Sequence, residues 1–416
     1  MEDVVILAGG LGVRLSHILS NRQKAMALVS GRPFLDYILA DLSRKGFRRA
    51  VIAVSYHAEQ VREYFGDCFG EMELVYSVEN EPLGTGGAIK KAAELCGGER
   101  FFAINGDTYF SVDYDEIRKK HIETSADITL AGKEKPNFKR HGTVVFDTDG
   151  VITNFAEKSF TEKGYINGGI YLINKSVFDG EYPEKFSFEK DVLEPLNFRT
   201  VCAPFDGYFI DIGVPQDYFR AQTEIPMIFG KRKFKAAFLD RDGVICKEKH
   251  HLYKCEDFEF IDGTPEAIES LREHGYLIVI ITNQAGVAKG LYTEADVEKL
   301  HEYMTEQLKD RTFIDGIYYC PYHPDGTVPE YAKASHCRKP HIGMIEKAVS
   351  DFAERGIEID LSQSVIVGDT ERDMQTGANA KIGTKILVRS GHPIDENNTC
   401  ADIIADSLSD FVKNRI

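Results

Sequence analysis

The chain has 416 residues, 43% of them hydrophobic and 28% charged, the proportions of a soluble globular protein long enough for two or three domains. A formal charge of −16 argues against a nucleic-acid partner, which would need a basic face, and it obliges any anionic substrate to be captured by local features. No apolar run approaches bilayer length, the acidic start "MEDVVILAGG" passes at once into a strand, and the 8 cysteines have no framework spacing, so a cytoplasmic protein with reduced thiols and no membrane partner is expected.

From Val4, apolar strands alternate with helical segments. "VVILA" reads as a strand, "PFLDYILADLSRKGF" as a helix ending at Gly46-Phe47, and "AVIAVS" as the next strand. Further strands read at "ELVYSV", "RFFAIN", "DITLAG", "GIYLIN" and "YFIDIG", and Asp149-Gly150 reads as a two-residue hairpin between "TVVFDT" and "VITNFA". The alternation predicts a mostly parallel, mixed sheet with helices on both faces. It lapses at "TEIPMIFGKRKFK" and restarts at Ala236 with "AAFLD", "LIVIIT", "GIYYC", "SVIVG" and "TKILV". Two α/β domains are therefore expected, residues 1–230 and 234–416, with a boundary near Gly230 and no internal repeat.

In the first half, Gly9, Gly10 and Gly12 follow a strand, so backbone N–H groups can approach a triphosphate without Cβ interference. Arg14 and Lys24 can add local positive charge. The loop lacks the Gly-Lys-Ser/Thr ending of a Walker loop, and Leu15 stands where a dinucleotide fingerprint needs its third glycine. "EPLGTGGAI" offers a second glycine cradle, opening a helix. Asp107 and Asp211 each end a strand, the edge where open α/β sheets bind ligands, and together they could hold Mg²⁺. Singly, each is as well read as a solvated turn residue; the ensemble points to nucleotide chemistry.

The second half opens with "AAFLDRDGVICKE", which sets Asp240 and Asp242 on one loop after a strand. Asp240 can attack phosphorus, and Asp242 can act as acid and then base. Two carboxylates facing a phosphate require a cation, so Mg²⁺ is expected here too, on Asp240, Asp242 and Asp369, with Asp373 nearby. Thr282 and Asn283 of "IITNQ" can hydrogen-bond phosphoryl oxygens, with Gln284 beside them, and Lys339 of "CRKP" supplies positive charge.

On "LAGGLGVRL", "QKAM", "LGTGGA", "NGD", "EK…INGGIYL" and "IDIGVPQDY", the first half resembles the sugar-1-phosphate nucleotidylyltransferases, and "FEKDVLEPL" is most similar to the branch that transfers GMP to heptose 1-phosphates. The resemblance implies that Lys24 contacts phosphates, Gly84 and Gly87 the base and sugar, and Glu157, Lys158, Asn167 and Gly168 the sugar phosphate, with Mg²⁺ on Asp107 and Asp211. Two residues depart from the family: Val13 replaces the usual Thr, and Gln23 the usual Pro. The second half resembles the haloacid-dehalogenase-like phosphatases, and "HLYKCEDFEFIDGTPEAIESLREHGY", "TNQAGVAKGLYTE" and "CRKPHIGM" are similar to the D-glycero-D-manno-heptose 1,7-bisphosphate 7-phosphatases, which implies that Arg338 and Lys339 bind the sugar bisphosphate. That family's zinc loop uses four ligands; the aligned positions here are Cys320, Tyr322, Ser335 and Cys337. Either His323 or His336 completes a zinc site, or the loop is metal-free with two buried thiols.

The resemblances together imply a fusion that removes the 7-phosphate of a heptose 1,7-bisphosphate and transfers a nucleotidyl group, GMP from GTP, to the remaining 1-phosphate. The alternatives are the same pair of reactions on another sugar phosphate or nucleotide, or an N-terminal half that only binds a nucleotide sugar.

Overall fold

In the computed structural model, residues 2–10, 23–55, 58–138, 143–156, 161–231, 233–309 and 311–416 are described. The chain divides into two compact units, Met1–Ala27 with Arg32–Tyr218, and Leu28–Gly31 with Phe219–Ile416.

The N-terminal unit is built on a mixed sheet. Strands β1 (Val4–Leu7), β2 (Arg49–Val54), β3 (Met72–Val78) and β4 (Arg100–Asn105) run parallel in the order β4-β1-β2-β3. The residues of β1, β2 and β4 are almost continuously apolar and buried, as strands covered on both faces must be, whereas β3 alternates between buried and exposed positions. Helix α1 (Phe34–Arg44) is the segment read from the sequence, and it stops where Gly46 takes a left-handed φ of 88°. Helix α2 (Gly84–Ala93) opens on the second glycine cradle. Beyond β4 the sheet turns antiparallel through the long strand β9 (Thr161–Asn174), flanked by β6 (Ile128–Phe138) and β7 (Thr143–Phe146), with β8 (Ile152–Ala156) beyond β7 and β10 (Thr200–Phe205) beside β6.

The expected hairpin between β7 and β8 forms, but its loop is longer by one residue. Asp147 N donates to Val151 O at 3.0 Å, leaving Thr148, Asp149 and Gly150 as the loop, with Gly150 at φ 86°. The Asp147 carboxylate accepts from Asp149 N and Val151 N at 3.0 and 2.9 Å, which favours the three-residue turn over the two-residue one.

A separate two-stranded ribbon decides where the first site lies. Strand β5 (Thr108–Phe110) pairs antiparallel with β11 (Phe209–Asp211), setting Asp211 opposite Thr108. A bond from Ile212 N to Asp107 O at 3.0 Å fixes the register.

The C-terminal unit carries a wholly parallel sheet. Strands β12 (Lys233–Leu239), β13 (Tyr276–Asn283), β14 (Gly316–Cys320), β15 (Val365–Gly368), β16 (Thr384–Val388) and β17 (Ile403–Ala405) stand in the order β14-β13-β12-β15-β16-β17. Helices α3 (Thr264–Glu273), α4 (Glu294–Leu308), α5 (Gly343–Glu354) and α6 (Glu371–Asn379) connect them. Thr293 caps α4 in a reciprocal box with Asp296, and Thr370 caps α6 with Asp373. The apolar core lies on both faces of the sheet, one side around Leu239, Ile268, Ile280 and Met304, the other around Phe238, Ile281, Ala348 and Phe352.

A buried ion pair braces this sheet. Arg272 of α3 donates to Asp315 Oδ2 at 2.5 Å and to Phe313 O at 2.8 Å, its guanidinium lies 3.5 Å from the Phe313 ring centroid, and Ile278 N also donates to Asp315 at 2.7 Å. Removing one partner of such a pair strands a buried charge. Asp315→Ala is therefore expected to lower unfolding free energy by about 3–5 kcal/mol, read as a shifted urea midpoint.

Two candidate active sites

The first site forms where β1, β4 and the β5–β11 ribbon end. Lys24 is most of the way buried, and its ammonium pairs with the carboxylates of Asp107 and Asp211, the latter at 3.4 Å. Asp211 Oδ1 also accepts from Gly213 N at 2.7 Å, and Asp107 Oδ1 from Thr108 Oγ1 at 3.1 Å. Burial works to lower the Lys24 pKa, but the two carboxylates outweigh it and hold it above its ordinary value. The lysine is therefore a fixed positive charge.

Lys24 and Asp107 border a cavity of about 350 Å³ that Gly9, Gly10, Gly84, Asn105 and Ser55 also line, and Asp211 stands behind Lys24. Among the described residues nothing lies within 4 Å of where a Gly10 Cβ would stand, whereas a Cβ on Gly84, at φ 74°, would meet Phe186 O at 2.5 Å. Gly84 is thus required by its own turn and by packing as well as by the cavity. Gly87 does not line this cavity; a Cβ there would meet Glu184 O at 2.6 Å, so close packing accounts for it.

Asn167 lies on β9, its amide donating to Tyr171 Oη at 2.6 Å and its carbonyl accepting from Gly169 N at 3.0 Å. At Gly168 a Cβ would stand 2.6 Å from both Ala131 O and the Phe110 ring. Neither residue borders the cavity. Gly12, Val13, Arg14, Glu157 and Lys158 lie outside the described residues. Gln23 is buried, and its side-chain amide has no hydrogen-bond partner among the described residues.

Two acids that the sequence reading passed over also border the cavity. Glu79 follows β3, is 7% exposed, and accepts from Leu83 N at 2.9 Å through one oxygen. Burial raises its pKa, with that backbone bond and Lys91 acting in the opposite direction. Glu189 accepts from Thr85 Oγ1 and Ser187 Oγ at 2.6 and 3.0 Å. The available signal for Glu79 was its place at a strand end just ahead of a glycine cradle.

The second site lies along the carboxyl edge of the parallel sheet, after β12, β13 and β15. Ligand oxygens of Asp240, Asp369 and Asp373 all lie within 4.8 Å of one another. The buried Lys339 ammonium donates to Asp240 Oδ2 at 2.9 Å, Asp373 Oδ1 at 2.5 Å and Ile281 O at 3.0 Å. Burial pushes the Asp240 carboxyl up, Lys339 draws it down, and Asp373 and Asp369 raise it again. Three acids facing one lysine leave an excess of negative charge on hard oxygen donors, which suits a divalent cation.

Asp373 thus enters the acidic group, and Asp242 does not. The Asp242 carboxylate is gripped by Arg241, with guanidinium bonds of 3.1, 3.0 and 2.9 Å, and accepts from Gln284 Nε2 at 3.0 Å. Burial would raise its pKa, but Arg241 and Gln284 reverse the shift and keep it ionised. Arg241 is itself fully buried, contacting His301 at 3.2 Å and Leu252 O at 3.0 Å.

Thr282 Oγ1 accepts from Gln284 Nε2 at 2.9 Å, and Tyr292 Oη donates to Gln284 Oε1 at 2.8 Å, so Gln284 orients Asp242 and Thr282 together. Asn283 clamps the Lys339 backbone, accepting its N–H at 3.1 Å and donating to its carbonyl at 3.4 Å. Arg338 donates to Tyr322 O at 3.3 Å. His392, which no sequence motif marked, holds Asp369 Oδ2 through its backbone N–H at 2.9 Å and its ring Nδ1 at 2.7 Å.

Among the described residues no quartet of zinc ligands gathers at this loop. Cys320 and Cys337, expected as thiols, are joined as a disulfide, while Asp325 N donates to His323 Nδ1 at 3.1 Å and His336 pairs with Glu346 at 2.7 Å. The other six cysteines are free.

Two acidic centres, each on strand ends of an α/β unit and each paired with a lysine, define a two-headed enzyme of phosphoryl chemistry. Comparisons with known proteins sharpen this. Residues 3–227 match the Nucleotidyl transferase family and residues 235–385 match Polynucleotide kinase 3 phosphatase. A D-glycero-alpha-D-manno-heptose 1-phosphate guanylyltransferase of Aneurinibacillus thermoaerophilus is 44% identical over 54% of this chain and 98% of its own length. A D-glycero-beta-D-manno-heptose-1,7-bisphosphate 7-phosphatase of Salmonella typhi is 46% identical over 42% of this chain and 92% of its own length. The crystal structure of HddC from Yersinia pseudotuberculosis complexed with GMP-PN matches with 36% identity and a TM-score of 0.50, covering 53% of this chain and 98% of that one. The chain belongs to the nucleotidyl transferase family through its N-terminal half and to the haloacid-dehalogenase-like phosphatases through its C-terminal half, and it is a bifunctional enzyme. No helix among the described residues is long and apolar enough to cross a membrane.

If Asp373 rather than the Asp242 carboxylate completes the acidic group, calorimetric titration with Mg²⁺ will show Asp373→Asn weakening the C-terminal site more than Asp242→Asn does. The reverse order would place Asp242 among the ligands.

Proposed function

We propose that the two halves act in series on one sugar: the C-terminal half removes the 7-phosphate of D-glycero-D-manno-heptose 1,7-bisphosphate, and the N-terminal half transfers GMP from GTP to the remaining 1-phosphate, releasing pyrophosphate. The observation that carries this is the concordance of two independent similarities, both to enzymes of heptose phosphates, in one chain. The product is an activated heptose, GDP-D-glycero-α-D-manno-heptose.

In the phosphatase half, Asp240 attacks phosphorus, forming an aspartyl phosphate and expelling the sugar hydroxyl. Lys339 sits against the nucleophile and offsets charge on the transferring group. Asp242, held ionised by Arg241, is ready to take the proton of the water that hydrolyses the intermediate; its earlier role as acid requires the bound phosphate to raise its pKa. Mg²⁺ on Asp240, Asp369 and Asp373 would supply the charge neutralisation that three carboxylates facing a phosphate need.

In the transferase half, the 1-phosphate attacks the α-phosphorus of the nucleotide directly, and Gly9 and Gly10 allow the triphosphate close to the backbone. Lys24 and Asp107 mark the phosphate end of the cavity, with Asp211 paired to Lys24 behind them; Asp107 and Asp211 would hold Mg²⁺, which would supply charge neutralisation for the phosphates.

Guanine is favoured by the acids at the cavity. A carboxylate can only accept hydrogen bonds, and guanine alone among the common bases presents two adjacent donors, N1–H and the N2 amino group. Glu79 borders the cavity with one oxygen committed to Leu83 N, and its other oxygen is the acceptor we assign to such a ligand. The names of the two relatives differ in anomer, alpha for the transferase and beta for the phosphatase. Attack by the sugar phosphate leaves the anomeric C–O bond intact, so two steps in series must share one anomer, and we assign α to both.

Assayed separately, on the 1,7-bisphosphate for phosphate release and on supplied heptose 1-phosphate with GTP for pyrophosphate release, Asp240→Asn will abolish the first activity and leave the second standing; Asp211→Asn will do the converse, by about 10²-fold or more. Loss of both activities in either variant would contradict independent sites. Wild-type enzyme will prefer GTP over ITP, which lacks the N2 amino group, by about tenfold or more, and Glu79→Gln will erase most of that preference. Equal use of ITP by the wild type would remove the basis for guanine selection.

A further inference from the structure

Beside the phosphatase centre lies a positively charged feature that hydrolysis of one phosphate does not use. Lys339 and Asp373 are bonded at 2.5 Å, and this buried pair ties two distant segments together. The residue preceding each partner is an arginine, Arg338 on one segment and Arg372 on the other. Arg338 is half-buried and has its bond to Tyr322 O as its hydrogen bond among the described residues, whereas Arg372 is exposed on the second residue of α6. Neither guanidinium has an ion pair with a carboxylate among the described residues, although the chain carries 66 acidic side chains against 50 lysines and arginines.

Three unfavourable terms meet here. Burial lowers the Arg338 pKa, and the charge of Arg372 lowers it further, so the two guanidiniums repel each other. Arg372 also stands in the first turn of α6, where the helix dipole disfavours a cation. The positive field reaches the neighbouring loop: burial and Arg338 depress the His323 pKa, with Lys289 and Arg372 adding to the effect and Asp325 opposing it. A bound anion would turn the mutual repulsion of the arginines into joint attraction and supply both forks with oxygen acceptors.

We propose that Arg372 joins Arg338 as a clamp for the second, non-reacting phosphate of the bisphosphate substrate, making Arg372 a specificity-determining residue of the phosphatase half. The inference rests on the bisphosphate reading above. It assigns the reacting phosphate to Asp240 and Lys339 and the remote phosphate to the two guanidiniums, whose sequence neighbours Lys339 and Asp373 are bonded within that site. A substrate lacking the anomeric phosphate forgoes the clamp, and this selects the bisphosphate over the monophosphate.

The test is phosphate release by the full-length enzyme from D-glycero-D-manno-heptose 1,7-bisphosphate and from the 7-phosphate, for wild type, Arg372→Ala and Arg372→Lys. The ratio of kcat/KM for bisphosphate over monophosphate is expected to fall about tenfold or more in Arg372→Ala, chiefly through KM for the bisphosphate, and to recover in part in Arg372→Lys. An equal loss on both substrates, or a fall in kcat alone, would assign Arg372 a structural role and overturn the clamp. A wild-type preference for the bisphosphate that Arg372→Ala keeps intact would overturn the role of Arg372 while leaving the substrate reading in place. A wild type with no preference between the two substrates would overturn the bisphosphate reading and the clamp with it.

Discussion

Each half of this enzyme is organised around a lysine held between two aspartates from separate segments of the chain. Lys24 bridges Asp107 and Asp211, and Lys339 bridges Asp240 and Asp373. Carboxylates gathered to hold a cation would repel one another without a nearby positive charge, and a lysine this buried would be neutral without its acids. The mutual requirement fixes all three groups. In both places the acids outnumber the lysine, so in a chain of charge −16 the capture of an anion calls for a cation on those carboxylates.

The two units reach this arrangement by different routes. In the C-terminal unit, a wholly parallel sheet delivers Asp240, Thr282 and Asp369 from the ends of neighbouring strands. Arg241, Gln284, Tyr292, Asn283 and His392 then fix the orientation of those groups through hydrogen bonds. In the N-terminal unit, the parallel strands supply only one side of the site. Asp211 arrives through the antiparallel ribbon, whose register sets it opposite Thr108.

Much of this was legible in the residues. Apolar runs ending in aspartate marked the strand ends after Leu239 and Gly368, and the motif order marked both families. The hairpin was legible, but its loop length was not, since it depends on the Asp147 side chain competing for two backbone N–H groups. The glycine at 87 answers to a contact the sequence does not display: a Cβ there would collide with the Glu184 carbonyl. Asp242 and Asp373 differ in the same way. Both are aspartates near a strand end, and only the packing of Arg241 beneath one and Lys339 beside the other separates an ionised acid–base group from a member of the acidic cluster.

By itself, the sequence determined that there are two α/β units, which strand ends carry acids, and which families the two halves join, because these follow from local apolar patterning and short contiguous motifs. Only the tertiary structure decided which acids converge, where each lysine's charge goes, that Cys320 and Cys337 bond each other, and that Glu79 borders the cavity beside Lys24. Those outcomes turn on distances between residues far apart in the chain, and such distances are set by strand register and side-chain packing, not by neighbouring letters.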